Sequence, residues 1–319
     1  MSRPRRSGTG LAAPRLVKPV VAPALVVVLA VAIVALALAG CGSVSGAQGS
    51  PGGRVEVVAG EDFWGDIAAQ IGGARVHVTS LISDPRSDPH LYQSSAAGAA
   101  AVARAGVVIE NGAGYDDFMG QLLAASGGHP VVVTVQKVLH EQGANVNPHF
   151  WYDIPRVPLV AQAIERALAA ADPSGATAYQ ARLRRFDASL RPVLGVIAAI
   201  RKGYAGQPVA YTERVPGYLL ADAGLRVVTP PGFATAIEDG NEPSAADTQA
   251  MQDLVAHHAI RLLLTNTQAT SAATQHIGDL ARQAGIPVVG VSETQPSTDR
   301  SYQAWQLRQA SAILAALRG

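Results

Sequence analysis

Four polar residues lie where a parallel sheet would present them to a ligand. His90 sits in the loop S-D-P-R-S-D-P-H-L-Y and His149 in N-V-N-P-H-F-W-Y-D. Glu213 sits in A-Y-T-E-R-V-P-G-Y and Glu293 in V-V-G-V-S-E-T-Q-P. Each follows a short β-branched run, and in open α/β sheets ligands bind beyond the carboxyl ends of the strands. Two imidazoles with two carboxylates form a borderline-to-hard donor set that suits Mn2+, Fe2+ or Zn2+. Two nitrogen donors disfavour Ca2+ and Mg2+, which want oxygen. The pair of carboxylates balances the charge of a divalent ion, and a bidentate glutamate would allow more than four donor atoms. Four protein donors leave no open position for an activated water, so such a site binds rather than catalyses.

The remaining candidates have blander readings. Trp151 and Tyr92 are expected to pack around the site. His77, within a strand, and His276 are read as structural or exposed. His257 and His258 are neighbours on a helix, about 100° apart, and cannot chelate together. Glu110-Asn111-Gly112-Ala113-Gly114 follows a strand and precedes a helix, but lacks the third glycine of a nucleotide turn, and no G-x-x-x-x-G-K-[ST] occurs. It reads as a tight turn.

Those four residues need a scaffold that brings distant loops together. Alternating β-branched runs and helical patterns predict βα units and mostly parallel sheets. In the first half, strands are expected near 55–58, 75–81, 107–110 and 131–135, with helices near 62–71, 94–105, 115–125 and 155–170. In the second half, strands are expected near 209–212, 226–228, 261–264 and 287–291, with helices near 215–223, 244–258, 272–284 and 302–317. Between the halves, Asp172-Pro173 offers a capping acceptor followed by proline at a first helical position. Residues 174–203 carry no strand signal and would span about 45 Å as a helix. Pro192 interrupts that pattern and would kink it. The expected architecture is therefore α/β: two domains, each with a parallel four-stranded sheet flanked by helices, joined by one long connecting helix. The expected divisions are 54–171, 172–205 and 206–319, with the metal site in the cleft between the domains.

The N-terminus reads as an address. Residues 1–53 carry five basic side chains, ending at Lys18, and no acid. An apolar run of sixteen residues, 24–39, leads into Leu38-Ala39-Gly40-Cys41. At 1.5 Å per residue such a run reaches about 24 Å, short of a bilayer core of ~30 Å. A charged segment, an apolar segment and small residues at the boundary predict a secretory signal over 1–40. Residues 41–53 are expected to be a Gly- and Ser-rich tether. Of 25 basic residues, 20 remain in the expected mature chain against 24 acidic ones. That balance disfavours nucleic acid as a partner. One cysteine in 319 residues excludes a disulfide framework.

Taken together, the L-A-G-C lipobox, the D-P-H and N-P-H-x-W segments, the long connector and the acid after the first strand of the second half resemble a known family. These are the metal-ion solute-binding lipoproteins of bacterial zinc and manganese ABC importers. The resemblance covers essentially the whole mature chain. It implies lipidation of Cys41, a monomer anchored at the extracytoplasmic face of the cell membrane, and one Zn2+ or Mn2+ ion as transported ligand. It also implies His90, His149, Glu213 and Glu293 as its ligands, and delivery to a membrane permease with its cytoplasmic ATPase. Many zinc members have His where this chain has Glu213. The fourth position is commonly Asp, where Glu293 matches best and Asp299 stands second. The His-rich loop of many zinc members is absent, since only His129 and His140 lie between His90 and His149. Two other readings of the residues remain open: a secreted metal-dependent hydrolase with one glutamate as general base, and a surface adhesin on the same scaffold. A vacant coordination position would distinguish the enzyme.

Overall fold

The computed structural model describes residues 53–86, 89, 92–143 and 145–319. His90, Cys41 and the expected signal segment lie outside the described residues, as does all but the last residue of the expected tether.

Each half builds the same sheet. The first runs β1 (Val55–Glu61), α1 (Asp62–Gly72), β2 (Val76–Ile82), α2 (Ala96–Arg104), β3 (Val107–Glu110), α3 (Asp117–Ser126), β4 (Val131–Thr134), α4 (Val135–Val138) and α5 (Val157–Ala171). Its strands lie in the order β2-β1-β3-β4, all parallel, with Val57 of β1 opposite both Val78 and Val107. After the helices α6 (Ala176–Ser189) and α7 (Arg191–Tyr204), the second half continues β5 (Pro208–Tyr211), α8 (Gly217–Asp222), β6 (Arg226–Val227), α9 (Pro231–Glu238), α10 (Ala245–Ala256), β7 (Leu263–Asn266), α11 (Ala272–Gln283), β8 (Val288–Val291) and α12 (Tyr302–Arg318). The order is again parallel, β6-β5-β7-β8.

Period-two alternation buries both faces of the central strands, as parallel sheets require. Val57 and Ala59 of β1 face the main core, while Val58 joins Val102, Val108, Met119 and Leu122 on the other side. In β7, Leu264 faces the main core and Leu263 packs with Phe233, Met251 and Ile277. The main core runs unbroken from one half into the other, because α12 packs along α7 and reaches α1. At its centre Phe63 stacks on Trp151 with ring centroids 4.2 Å apart, and Trp305 lies 6.1 Å from Phe63. Truncating such a buried ring costs about 3–5 kcal/mol. Trp151 therefore pins the segment that carries His149.

The connector is helical from Ala176 to Tyr204 with one interruption at Leu190, whose backbone stays right-handed at φ −78° and ψ −15°. Pro192 explains the interruption: it has no N–H to donate, and its ring crowds the carbonyl four residues back. Several details differ from the sequence expectation: β1 runs on to Glu61 rather than ending near 58, and β7 spans Leu263–Asn266 rather than 261–264. The strand expected to 135 stops at Thr134 and passes into the single turn α4. The helix α9 was not anticipated, because it opens on Pro-Pro-Gly, residues that punctuate loops. Proline is tolerated at a first helical turn, and Pro231 occupies that position. Among the described residues no helix is long and apolar enough to cross a membrane.

Candidate metal site

The carboxyl ends of both sheets converge on a buried polar cluster. His149 and Glu293 are fully buried, Glu213 is 1 % exposed and Asn266 3 %. His149 Nε2 lies 3.5 Å from Glu293 Oε2, so a residue of the first half meets one of the second directly. Glu213 is brought to the same place through Asn266, whose side-chain amide donates to Glu213 Oε2 at 2.5 Å and to Glu293 Oε1 at 2.6 Å. Three of the four sequence-predicted residues thus gather at one point, and His90 lies outside the described residues. Among the described residues no group of three or more His, Cys, Asp or Glu side chains encloses a cation position on its own. Asp299 is elsewhere, its carboxylate paired with Arg308 at 2.7 Å.

The orientation of His149 follows from its neighbours. Asn147 Nδ2 donates to the Arg214 carbonyl at 2.9 Å, which turns Asn147 Oδ1 toward His149. That oxygen lies 2.6 Å from His149 Nδ1 and also accepts the His149 backbone N–H at 3.2 Å. Nδ1 therefore donates to Asn147, and Nε2 is the nitrogen that faces Glu293, the ring orientation a metal-binding imidazole needs. Tyr218 donates to the Asn147 carbonyl at 2.9 Å, so two contacts from the second half clamp this residue. Gly217 belongs to the clamp as well, because a Cβ there would come within 2.8 Å of Asn147 Nδ2.

A second loop brings Tyr115. The segment Gly112-Ala113-Gly114 has positive φ at all three residues, 79°, 56° and 81°. That left-handed run wraps the chain around the Asp116 carboxylate, which accepts the N–H groups of Asn111 and Gly112, each at 2.7 Å. Asn111 in turn accepts from Trp64 Nε1 at 3.1 Å and donates to the Pro148 carbonyl at 2.9 Å, beside His149. The wrapped turn delivers Tyr115, whose hydroxyl donates to Glu293 Oε2 at 2.9 Å. Burial first, then the Glu293 carboxylate, hold the Tyr115 phenol well above its ordinary range, so it stays a proton donor. The turn read from the sequence is present, and its use is to place this hydroxyl.

Gln268 locks the Glu293 segment: its Oε1 accepts the N–H groups of Glu293 at 2.6 Å and Thr294 at 3.0 Å. At the end of β1, Glu61 is fully buried, and burial above all, then Asp116 and Asp62, push its carboxyl well above the usual range. Sequence reasoning singled out none of Tyr115, Asn147, Asn266 and Glu61 as site residues. The strand-end rule that found Glu213 and Glu293 also points at Asn266, the last residue of β7, and at Glu61, the last of β1. Trp151 packs at the site as expected, edge-on to His149 with centroids 5.1 Å apart, whereas Tyr92 packs against Phe118 at 4.6 Å.

Comparison with known proteins gives a family, named relatives and a shared fold. The chain is 27 % identical over 157 residues to the manganese-binding lipoprotein MntA of Halalkalibacterium halodurans, covering 48 % of this chain and 52 % of that one. It thus spans about half the length of that relative. It is 24 % identical over 233 residues to the zinc-binding protein TroA of Treponema pallidum, covering 69 % and 72 %. The solved structure of periplasmic zinc-binding TroA superposes with a TM-score of 0.70 at 20 % identity, covering 83 % of this chain and 99 % of TroA. A manganese-bound periplasmic metal-binding protein from Candidatus Liberibacter asiaticus gives 0.69 at 20 % identity with the same coverage. At such identities the structures establish a shared fold. Residues 57–316 match the family described as zinc-uptake complex component A, periplasmic, and the chain belongs to that family.

Proposed function

We propose that this protein captures one divalent transition metal ion, Zn2+ or Mn2+, outside the cytoplasm and delivers it to the permease of an ABC importer. His90 and His149 from the first half and Glu213 and Glu293 from the second are its ligands. The protein acts as a monomer, held at the membrane by lipid on Cys41. The approach of His149 Nε2 to Glu293 Oε2 supports the reading best: a buried imidazole with its other nitrogen already engaged faces a buried carboxylate from the opposite half. The relatives named above are metal-binding proteins of the same family. Donors contributed by both halves suit capture and release, since any movement of one half away from the other dismantles the site.

Metal analysis of protein purified without chelator, followed by competition titration, tests the capture step. About one zinc or manganese ion per chain is expected, with loss of binding in His149→Ala; a wild-type chain that retains no divalent metal contradicts it. Lipid labelling tests the anchor: Cys41→Ala should incorporate none, and unchanged labelling would remove Cys41 from the account.

A further inference from the structure

Among the described residues, β4 is an outer strand of the first sheet, paired with β3 on one side only. A strand in that position offers backbone groups to another chain, and proteins commonly blunt it with charge or proline. Neither falls within this strand, V-V-V-T. Val131 turns its N–H to the Gly106 carbonyl at 2.9 Å, toward β3, so the alternation of a strand turns the N–H and C=O of Val132 to the outer edge. The side chains there are exposed as well. Among the described residues the large apolar side chains that stand exposed are Val131 at 38 %, Val132 at 42 % and Leu159 at 48 %. A groove of about 420 Å3 follows this edge, with all four residues of β4 on one wall and Ala163 and Ala167 of α5 on the other. Leu159 stands one turn before Ala163 and continues the same helical stripe. The charged side chains that line the groove are both cationic, Lys137 and Arg166, and both are exposed.

We propose that this groove docks an extended, acid-bearing aliphatic segment of a partner protein, which adds to β4 as a further strand. Main-chain hydrogen bonds to Val132 supply affinity, and side chains alternating along the segment supply selectivity, as in strand addition generally. The aliphatic side chains cover Val131, Val132 and the Ala163 stripe, while the carboxylates meet Lys137 and Arg166. Charge selects this occupant over the two that the chain itself could provide. A second copy would offer its own β4, V-V-V-T, which carries no acid to meet the two cations. The residues ahead of β1, from Met1 to Arg54, carry no acid either.

The test titrates the full chain with two short fluorescent peptides, one alternating valine with glutamate and one alternating valine with lysine. The acidic peptide should bind about tenfold or more tightly than the basic one, and added salt should narrow the difference. Val132→Pro, a residue that outer strands tolerate, removes the N–H at the edge and should weaken the acidic peptide by about tenfold. Lys137→Glu combined with Arg166→Glu changes two exposed side chains and leaves the strand intact, so it serves should proline compromise folding; it should reverse the order of the two peptides. In wild type, hydrogen exchange at the Val132 amide should slow when the acidic peptide is bound. Binding of neither peptide at millimolar concentration, equal binding of both, or an order that survives the charge reversal would overturn the proposal. A dimer in sedimentation velocity that Val132→Pro dissociates would assign the edge to a second copy and overturn it as well.

Discussion

Asn147 and His149 are two residues apart, and the 2.6 Å contact between Oδ1 of one and Nδ1 of the other fixes which nitrogen of the imidazole faces the site. The same asparagine reaches across the cleft to the carbonyl beside Glu213. One side chain thus ties a histidine of the first half to the glutamate loop of the second. Groups that orient metal-binding histidines typically change affinity by 10–100-fold. Asn147→Ala should weaken Zn2+ binding by about that factor, whereas Asn147→Asp, which keeps the acceptor for Nδ1–H, should recover part of it. Nitrogen NMR of the metal-free protein reads the cause: the proton should reside on Nδ1 in wild type and distribute between both nitrogens in Asn147→Ala. Equal tautomer populations in the two proteins would separate Asn147 from ring orientation.

Tyr115 links the halves through its hydroxyl. Tyr115→Phe keeps the ring that packs near Trp151, at a 4.9 Å centroid distance, and deletes the donor to Glu293. Hydrogen bonds to charged groups contribute about 1.5–3 kcal/mol. Denaturant unfolding of the metal-free variant should show a loss within that range. A midpoint within error of wild type would mean that Glu293 does not depend on this donor.

The pH dependence of stability can be placed as well. The Asp62 carboxylate accepts the backbone N–H of Gln295, at 3.1 and 3.3 Å, and burial pushes it up to about 7 from the ordinary 3.8. The folded state therefore holds this proton more tightly than the unfolded chain. Stability contributed by the protonated acid is fully present below about 4 and is lost as pH rises toward about 7. Asp62→Asn retains an oxygen for Gln295 and removes the ionisation. Metal-free Asp62→Asn should match wild type near pH 4 and exceed it near pH 8 by roughly 1–3 kcal/mol in denaturant unfolding. Parallel pH profiles would show that Asp62 ionises without cost.

The scaffold was far more legible in the sequence than the polar detail of the site. All eight strands fall at or beside the expected β-branched runs, because a parallel strand buried on both faces has to be a dense apolar run. The connector showed itself through the absence of such a run and through Asp172-Pro173. The helix α9 hid behind Pro230, Pro231 and Gly232, turn formers whose position in a first helical turn only the fold reveals. His149, Glu213 and Glu293 were visible because each follows a strand and belongs to a residue type that ligates. Asn266 follows a strand equally, but an amide reads as neutral until the two carboxylates it bridges, 53 and 27 residues away, are seen beside it. Tyr115 lay inside a turn correctly read as a turn, with nothing local to show that its hydroxyl crosses to Glu293. Such relationships depend on how two sheets face each other, which spacing along the chain does not encode.

A crystal structure of the zinc-loaded protein, with an anomalous difference map collected at the zinc edge, tests the central claim most directly. The account predicts a single strong peak about 2.0–2.2 Å from His149 Nε2, from one oxygen of Glu213 and from one oxygen of Glu293, with His90 completing the shell. A peak bonded to His149 through Nδ1, or one seated away from the two glutamates, would contradict it.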